Sequence, residues 1–501
     1  MKMKREESKL QALTRTGAFT RIIIRRALQT SKLVIECIHS HLEKEKFCMG
    51  SPMNTGPSSQ VGGAPSIPHK KPATRTNTRK AASPDSGLFK QFLKALGPGL
   101  ITGASDDDPS GIGTYTMAGA SLGYATLWTA LFTFPLMTAV QYICAKVGIV
   151  SGQGLATLLK KHYSPWITFP AVFALLIANT INLGADLGAV AVAINLFVPL
   201  PIPVLIIPVT LLLLVLQIWG SYQLIVQIFR WLTLALFAYI AAVFLSHPDG
   251  HALLLGTFLP TFQLNSSFIA TLVAIVGTTI SPYLFFWQSN QEVEEQISQG
   301  KKTVQKRRGA SRKELRFASL DVTIGMLISN VVMYCIILTA AATLFQTGKH
   351  DVQTATELAQ TLRPLAGNFA TVLLAIGLIG SGCLTVPVLA DSAAYALSEA
   401  FGWKYGLAKL PGRAKQFYAM IIVAMLVGGL MSIVGINPIK ALFWTAVING
   451  VLAPPLLVLL MLMSNNPKVM GKRTNGRWLN ILGWFTTILM FLAAIALFLT
   501  L

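Results

Sequence analysis

Charge is scarce in this sequence. Of 501 residues, only 12% are Asp, Glu, Lys or Arg, while 53% are hydrophobic. The mean hydropathy is +0.58. A soluble domain carries about 25% charged residues, so a soluble globular fold is not expected. Cysteine is sparse as well. Cys37, Cys48, Cys144, Cys335 and Cys383 stand apart with no CxxC pair. That spacing argues against a disulfide framework or a zinc site and leaves packing roles. Histidine is missing from the apolar runs: His39, His41, His69, His162, His247, His251 and His350 all fall in the N-terminal tail or in loops. No imidazole is therefore offered at membrane depth as a metal ligand or proton relay. Acidic residues are outnumbered, 20 against 41 Lys and Arg, for a net charge of +21. Such a balance ordinarily suggests nucleic acid. The apolar body argues for lipid instead, and no nucleic-acid partner is expected.

What is present is a series of apolar runs, each long enough to cross about 30 Å of hydrocarbon. Eleven are read: 95–120, 124–148, 166–196, 202–219, 223–246, 267–291, 317–346, 366–398, 417–435, 440–463 and 478–500. With the N-terminus placed in the cytoplasm, the cytoplasmic loops hold 18 Lys and Arg, and the opposite loops only Lys349, Arg363 and Lys440. That asymmetry is the positive-inside pattern. It predicts a multi-pass protein of the inner (plasma) membrane with its N-terminus inside and its C-terminus outside. The short loops predict one transmembrane domain over 95–501.

Residues 1–94 carry 18 Lys and Arg against 6 Asp and Glu. Residues 10–47 have the pattern of a basic amphipathic helix. Residues 50–88, rich in Gly, Pro, Ser and Thr, have the composition of disorder. An inner-leaflet anchor, a targeting peptide and a dispensable tail, or upstream sequence before a start at Met49 or Met53, all stay open.

The first run contains GPGLITGASDDDPSGIGTY. Asp106, Asp107 and Asp108 sit inside it, directly before Pro109. Ionised groups in hydrocarbon are costly, and where they occur they usually mark an ion or substrate path. Pro109 lacks an amide hydrogen and predicts a helix break. Irregular backbone at membrane depth is tolerated only where it lines a cavity or is buried in protein. The sixth run has a matching break at Ser281-Pro282, after Gly277-Thr278-Thr279. Interrupted spans at corresponding positions of two five-helix halves point to a midplane site in an inverted-repeat transporter.

Other polar residues lie within spans. Asp186 is expected on a functional face with Asn179 and Asn182, seven and four residues earlier. Asp391 is expected to be structural, Asp321 and Arg230 to lie near the cytoplasmic side, and Asn449, ahead of Pro454-Pro455, to offer a further oxygen ligand.

Three strings, GPGLITGASDDDPSGIGTY, GTTISPYLFFWQ and VPVLADSAAYALSEAFGW, resemble the Nramp divalent-metal transporters, and most closely their magnesium-transporting branch. The resemblance covers roughly residues 90–500. It implies an all-α, LeuT-type fold of two inverted five-helix repeats plus an eleventh span, with spans 1 and 6 broken, working by alternating access. The family's Asp-Pro-Gly-Asn motif falls on Asp108-Pro109-Ser110-Gly111, and its Met-Pro-His on Ser281-Pro282-Tyr283. The resemblance thus implies Asp108 as metal ligand and Gly111 where the family has its Asn ligand. It places Ser281 where the family has its thioether and Thr278 as a carbonyl ligand. Asp107 and Asn449 complete the candidate set; Asp106, Asp186, Tyr283 and Gln288 are candidates along the transport path.

Loss of the thioether and the amide leaves hard oxygen donors. Mg²⁺ prefers octahedral oxygen and parts reluctantly with water. Mg²⁺ is the expected substrate, with Mn²⁺ second, and no cofactor or enzymatic activity is expected. Tyr283 and Gln288 replace two histidines of the family's proton path, and Asn179 falls on an acidic position. Uptake driven by the membrane potential, without proton symport, is expected. The alternative is a proton-coupled Mn²⁺/Fe²⁺ importer. A sodium-coupled amine transporter and an intramembrane aspartyl protease fit less well: the first would place glycine-rich backbone at its site, and the second lacks its Gly-x-Gly-Asp signature.

Overall fold

The computed structural model describes residues 97–219, 237–407, 409–433 and 437–500. The expected tail helix over 10–47 and Arg230 lie outside them. The first span is two helices, α1 (Pro98–Asp106) and α2 (Pro109–Leu122). Then follow α3 (Trp128–Ser151), short α4 (Leu155–His162), α5 (Pro165–Asn195) and α6 (Ile202–Trp219). The fifth span is described from α7 (Phe237–Leu245) onward, and α8 (Gly250–Phe258) lies after it. The sixth is again two helices, α9 (Ser266–Thr279) and α10 (Pro282–Ser298). Apart from one-turn segments, the remainder are α11 (Arg312–Ala340), α12 (Ala355–Gln360), α13 (Ala370–Phe401), α14 (Lys415–Ile433), α15 (Pro438–Asn465) and α16 (Arg477–Thr500).

Among the described residues, nine helices are long and apolar enough to cross a membrane, counting α9 and α10 as one. The divided first span and the partly described fifth account for the other two of the eleven runs. Large apolar side chains are exposed as well as buried, among them Trp166, Phe244, Leu264 and Trp478. In α16 only 33% of the apolar stretch is buried. A helix that is apolar on its outward face as well needs lipid as its solvent.

Two groups of helices pack internally. Spans 1, 2, 6 and 7 form one (α1 and α2, α3, α9 and α10, α11), and spans 3, 4, 8 and 9 the other (α5, α6, α13, α14). The offset between partners is five spans, as an inverted repeat requires. The α5–α13 contact, span 3 on span 8, is the most extensive between helices among the described residues.

Close approach is set by small residues. Gly99 and Gly103 in α1 meet Gly325 in α11, and a Cβ on Gly103 would stand 2.3 Å from the Gly325 backbone. Gly277 in α9 meets Ala446 and Gly450 in α15 at a similar range. Small residues four apart let helix backbones touch where lipid supplies no hydrophobic drive. Each broken span is thereby clamped at one half: α1 by α11, and α9 by α15.

Candidate functional site

Both breaks fall at the expected prolines. Asp107, between α1 and α2, has φ −84° and ψ 53°. Ile280, between α9 and α10, has φ −119° and ψ 60°. Pro109 and Pro282 each open the following helix at its first position, where a missing amide hydrogen costs nothing. The cost is paid upstream. The carbonyls four residues earlier, on Ser105 and Thr278, lose the amide donor that an unbroken helix would supply.

Asp108 is the N-cap of α2. Its Oδ1 accepts from the Gly111 amide at 2.6 Å and the Ser110 hydroxyl at 2.7 Å, with Thr278 Oγ1 at 3.5 Å. Its Oδ2 accepts from Asn182 Nδ2 at 3.3 Å. The carboxylate is thus fully buried where α2, α5 and α9 meet. A Cβ on Gly111 would lie 3.3 Å from Asp108 Oδ1, from Thr278 Oγ1 and from the Tyr115 ring. A side chain at 111 would point between Asp108 and Thr278.

The other aspartates of the run turn elsewhere. The Ser329 hydroxyl in α11 stands 2.8 Å from Asp106 Oδ2 and 3.1 Å from Asp107 Oδ1. Both carboxylates are buried. The consecutive aspartates therefore face two directions, Asp108 toward α5 and α9, Asp106 and Asp107 toward α11. Asp186 is buried, one helical turn beyond Asn182 on α5, and faces the Ser110 amide. Asn179 donates to the Leu389 carbonyl of α13 at 3.3 Å. Asn449 is buried with its Nδ2 unpartnered, and it is not among the hydrogen-bond partners of Asp108. Asp391 accepts from Gln217 of α6 at 2.5 Å, joining spans 8 and 4.

The hydroxyls of the sixth span serve the breaks. Ser281 donates toward the Thr278 carbonyl at 2.7 Å, with the Gly277 carbonyl at 3.1 Å. Tyr283 donates to the Ser105 carbonyl at 2.7 Å, and its own carbonyl accepts from Ser392 of α13 at 2.8 Å. Gln288 accepts from Thr102 of α1 and donates to Glu292 at 2.9 Å.

This last chain ends at a cavity of about 440 Å³, whose walls include Glu292, Glu295, Glu314 and Asp321. Asp321 binds the start of α1, accepting from the Gly97 amide at 2.9 Å and the Gly99 amide at 2.7 Å.

Among the described residues, the ion pair present is Lys301–Glu314, at 2.9 Å and partly exposed. None of the buried aspartates 106–108 has a Lys or Arg partner among the described residues. The four described histidines, His162, His247, His251 and His350, are all exposed. No three His, Cys, Asp or Glu side chains converge as a metal cluster among the described residues. Cys144, Cys335 and Cys383 are free thiols, the first two buried.

Pattern reading did not single out Ser329, Thr102 or Ser110. Each is a polar residue inside an apolar span, which is the one signal that could have marked them. Asn182 was marked only as sharing a face with Asp186, not as a partner of Asp108.

A family model described as natural resistance-associated macrophage protein-like (Nramp) matches residues 99–500. The chain is similar to the divalent metal cation transporter MntH of Klebsiella pneumoniae (strain 342), 27% identical over 413 residues, covering 82% of this chain and 94% of that protein. It is also similar to MntH of Bacillus subtilis (strain 168), 24% identical over 404 residues, with 80% and 91% covered. Among solved structures, the Eremococcus coleocola manganese transporter bound to an aromatic bis-isothiourea compound matches with TM-score 0.65 and 20% identity over 82% of this chain and 87% of that one. MhsT in complex with L-phenylalanine matches with TM-score 0.52 and 13% identity over 79% and 98%. At such identities the structural likeness fixes the fold, the five-plus-five inverted repeat of the LeuT type.

Proposed function

The chain belongs to the natural resistance-associated macrophage protein-like family, and on that premise we propose that it is a divalent metal cation transporter that takes up Mg²⁺, and Mn²⁺ second, by alternating access without proton symport. Its relatives in Klebsiella and Bacillus are divalent metal cation transporters by name. The observation that carries the reading is the buried Asp108 carboxylate at the junction of two broken helices, with no cationic side chain among the described residues paired to it. A buried carboxylate without a counter-charge is costly. An entering cation supplies that charge, and a site that binds only while the cation passes is what transport needs.

The donors around Asp108 support the choice of ion. Asn182, Ser110 and Thr278 offer hard oxygen or amide groups, and Gly111 offers no side chain. No thioether stands at the break to favour Mn²⁺ or Fe²⁺ through softness. Room at Gly111 and hard oxygen suit a cation that keeps several waters. Asp108 is the central ligand in this reading. Thr278 stands beside it, with Ser281 donating to the Thr278 carbonyl, while Asp107, Asp106 and Asp186 contribute negative charge to the path. Asn449 stands as a further candidate donor.

The direction of uptake follows from electrostatics. An inside-negative potential supplies about 2.3 kcal/mol per charge per 100 mV, and a divalent ion gains about twice that. Tyr283 and Gln288 stand where the family's proton path has imidazoles, and neither titrates near neutral pH. With the N-terminus in the cytoplasm, the acidic cavity at Glu292, Glu295, Glu314 and Asp321 lies at the inner end of α1 and forms the exit. The segment 1–94 is then a cytoplasmic tail preceding a single transporter domain.

The test uses purified protein in liposomes with an inside-negative potential, external Mg²⁺ or Mn²⁺ and an internal pH dye. Saturable entry of Mg²⁺ with no proton movement tied to it is expected. Proton entry in fixed ratio to metal would overturn the uncoupled mechanism. Failure of Mg²⁺ to enter or to compete with Mn²⁺ would overturn the magnesium assignment.

A further inference from the structure

Near the ends of three helices the bundle leaves an apolar cavity of about 350 Å³. Its walls are the first turns of α3, the loop 259–265, one face of α9 and the later turns of α16. On α9 the lining residues Ile269, Leu272 and Val276 recur three and four apart, which makes one apolar stripe of that helix. Since α3 and α9 start here and α16 ends nearby, chain direction places the cavity at one face of the membrane, the outer one in the orientation proposed above. Its rim is aromatic: Phe262 of the loop stands 5.2 Å from Trp128 between ring centroids, and Trp128 stands 5.8 Å from Phe132. Tryptophan gathers at the depth of the lipid headgroups.

We propose that this cavity binds one acyl chain of a membrane phospholipid, whose ester carbonyl accepts a hydrogen bond from the Trp128 indole N–H. The proposal goes beyond the transport reading above and does not rest on it.

Two observations select the occupant. The first is a single unanswered donor. Thr129 donates to the Thr126 carbonyl at 2.6 Å, Thr133 accepts from Asn330 at 3.3 Å, and Gln263 accepts from Asn265 at 3.1 Å. Trp128 is only 9% exposed, and its Nε1 has no acceptor among the described residues. A buried indole N–H ordinarily has a partner. One donor in an apolar cavity does not hold water, which needs two to four polar partners. The occupant is therefore a long apolar group with an acceptor at one end. The second observation is the layout. The acceptor has to lie at the first turn of α3, while the apolar part follows α9 inward from Phe268 to Val276, about 12 Å at 1.5 Å per residue. A phospholipid carries its ester carbonyl at the interface and its methylenes below. The cavity is at the small end of the range for small-molecule sites, about 300–1,000 Å³, so it admits one chain and not a whole diacyl lipid. The chain lies along the half of the sixth span that ends at the break.

The test uses the full chain, purified in detergent and stripped of lipid. The probe is phosphatidylethanolamine with either ester-linked or ether-linked chains. Native mass spectrometry counts the lipid retained, with melting as the folding control. The parent should hold the ester lipid about fivefold more tightly than the ether lipid, the scale of one net hydrogen bond. Trp128→Phe removes the N–H, keeps an aromatic ring and should lose that preference. Ala493→Phe fills the cavity from α16 and should lower retention of both lipids by one molecule per chain. Should that variant not fold, Leu272→Phe fills the cavity from α9 and is read in its place. Equal retention of the two lipids by the parent, or an ester preference that persists in Trp128→Phe, would overturn the proposal. So would an unchanged lipid count in the folded cavity-filling variant. Neither readout involves metal, so failure here is separate from failure of Mg²⁺ entry in the liposome assay.

Discussion

Asp321, in the middle of the chain, holds the first described helix by its end: its Oδ2 accepts the Gly99 amide at 2.7 Å, across 222 residues of sequence. The other oxygen takes the Gly97 amide at 2.9 Å. Pro98 opens α1 and brings no amide of its own, so the carboxylate of another helix supplies the N-terminal partner that a Ser or Asp at the cap would ordinarily provide. In the alternating-access cycle proposed above, the first half of the broken first span moves, and this contact is then one that must be released.

Asp321→Ala should therefore loosen α1 without unfolding the bundle. The expected cost is about 1–2 kcal/mol, the range for loss of a helix cap. Faster hydrogen exchange at residues 97–103, with the rest of the bundle unchanged, is the check. Exchange at α1 equal to the parent's would show that Gly99 and Gly103 packing alone secures it.

Asp108→Ala should abolish metal uptake in liposomes and leave a folded protein. The side chain caps α2 and also accepts from Asn182 of α5; the cap alone sets a stability loss of about 0.5–2 kcal/mol. Asp186→Asn, which keeps the volume and removes the charge, should reduce uptake less. Retention of full uptake by Asp108→Ala, with melting unchanged, would remove Asp108 from the transport path.

Gly111→Asn places an amide between Asp108 and Thr278. The added Cβ meets three atoms at 3.3 Å, which is tight but not blocked, so a stability cost of about 1–2 kcal/mol is expected from overpacking. The new donor oxygen should narrow the site and favour Mn²⁺ over Mg²⁺. Competition between the two ions for entry is the measurement, and a Mg²⁺ preference equal to the parent's would show that position 111 does not face the ion.

Gly103→Val should fail more severely. Its Cβ would stand 2.3 Å from the Gly325 backbone, and backbone cannot rotate away as a side chain can. A destabilisation at or beyond about 3 kcal/mol is expected, with separation of α1 from α11. The comparison is Gly300→Ala, where nothing stands within 4 Å, although its positive φ of 89° adds local strain. Melting temperatures of the two variants, with the loss much larger at 103, would distinguish packing from backbone strain.

Much of the architecture was written locally. An apolar run of about 20 residues is a span wherever it packs, and a proline breaks a helix through its own ring, so both breaks were found at Asp108-Pro109 and Ser281-Pro282. The burial of Asp106, Asp107, Asp108 and Asp186 followed from the same runs. The shared face of Asn182 and Asp186 followed from helical period. Three consecutive aspartates, by contrast, read as one cluster along the chain, and their divergence toward Asn182 and Thr278 on one side and Ser329 on the other had no local sign.

The sequence by itself determined the spans, their two interruptions and the residue types available there: carboxylates, hydroxyls and glycine, without imidazole or thioether. Only the tertiary structure decided which oxygen meets which donor. It set Tyr283 against Ser105, 178 residues away, and Ser329 between Asp106 and Asp107. The reason is that helical periodicity fixes the face a side chain occupies. The partner on that face depends on how neighbouring helices cross and slide, and here that register is set by glycine contacts between backbones far apart in the chain.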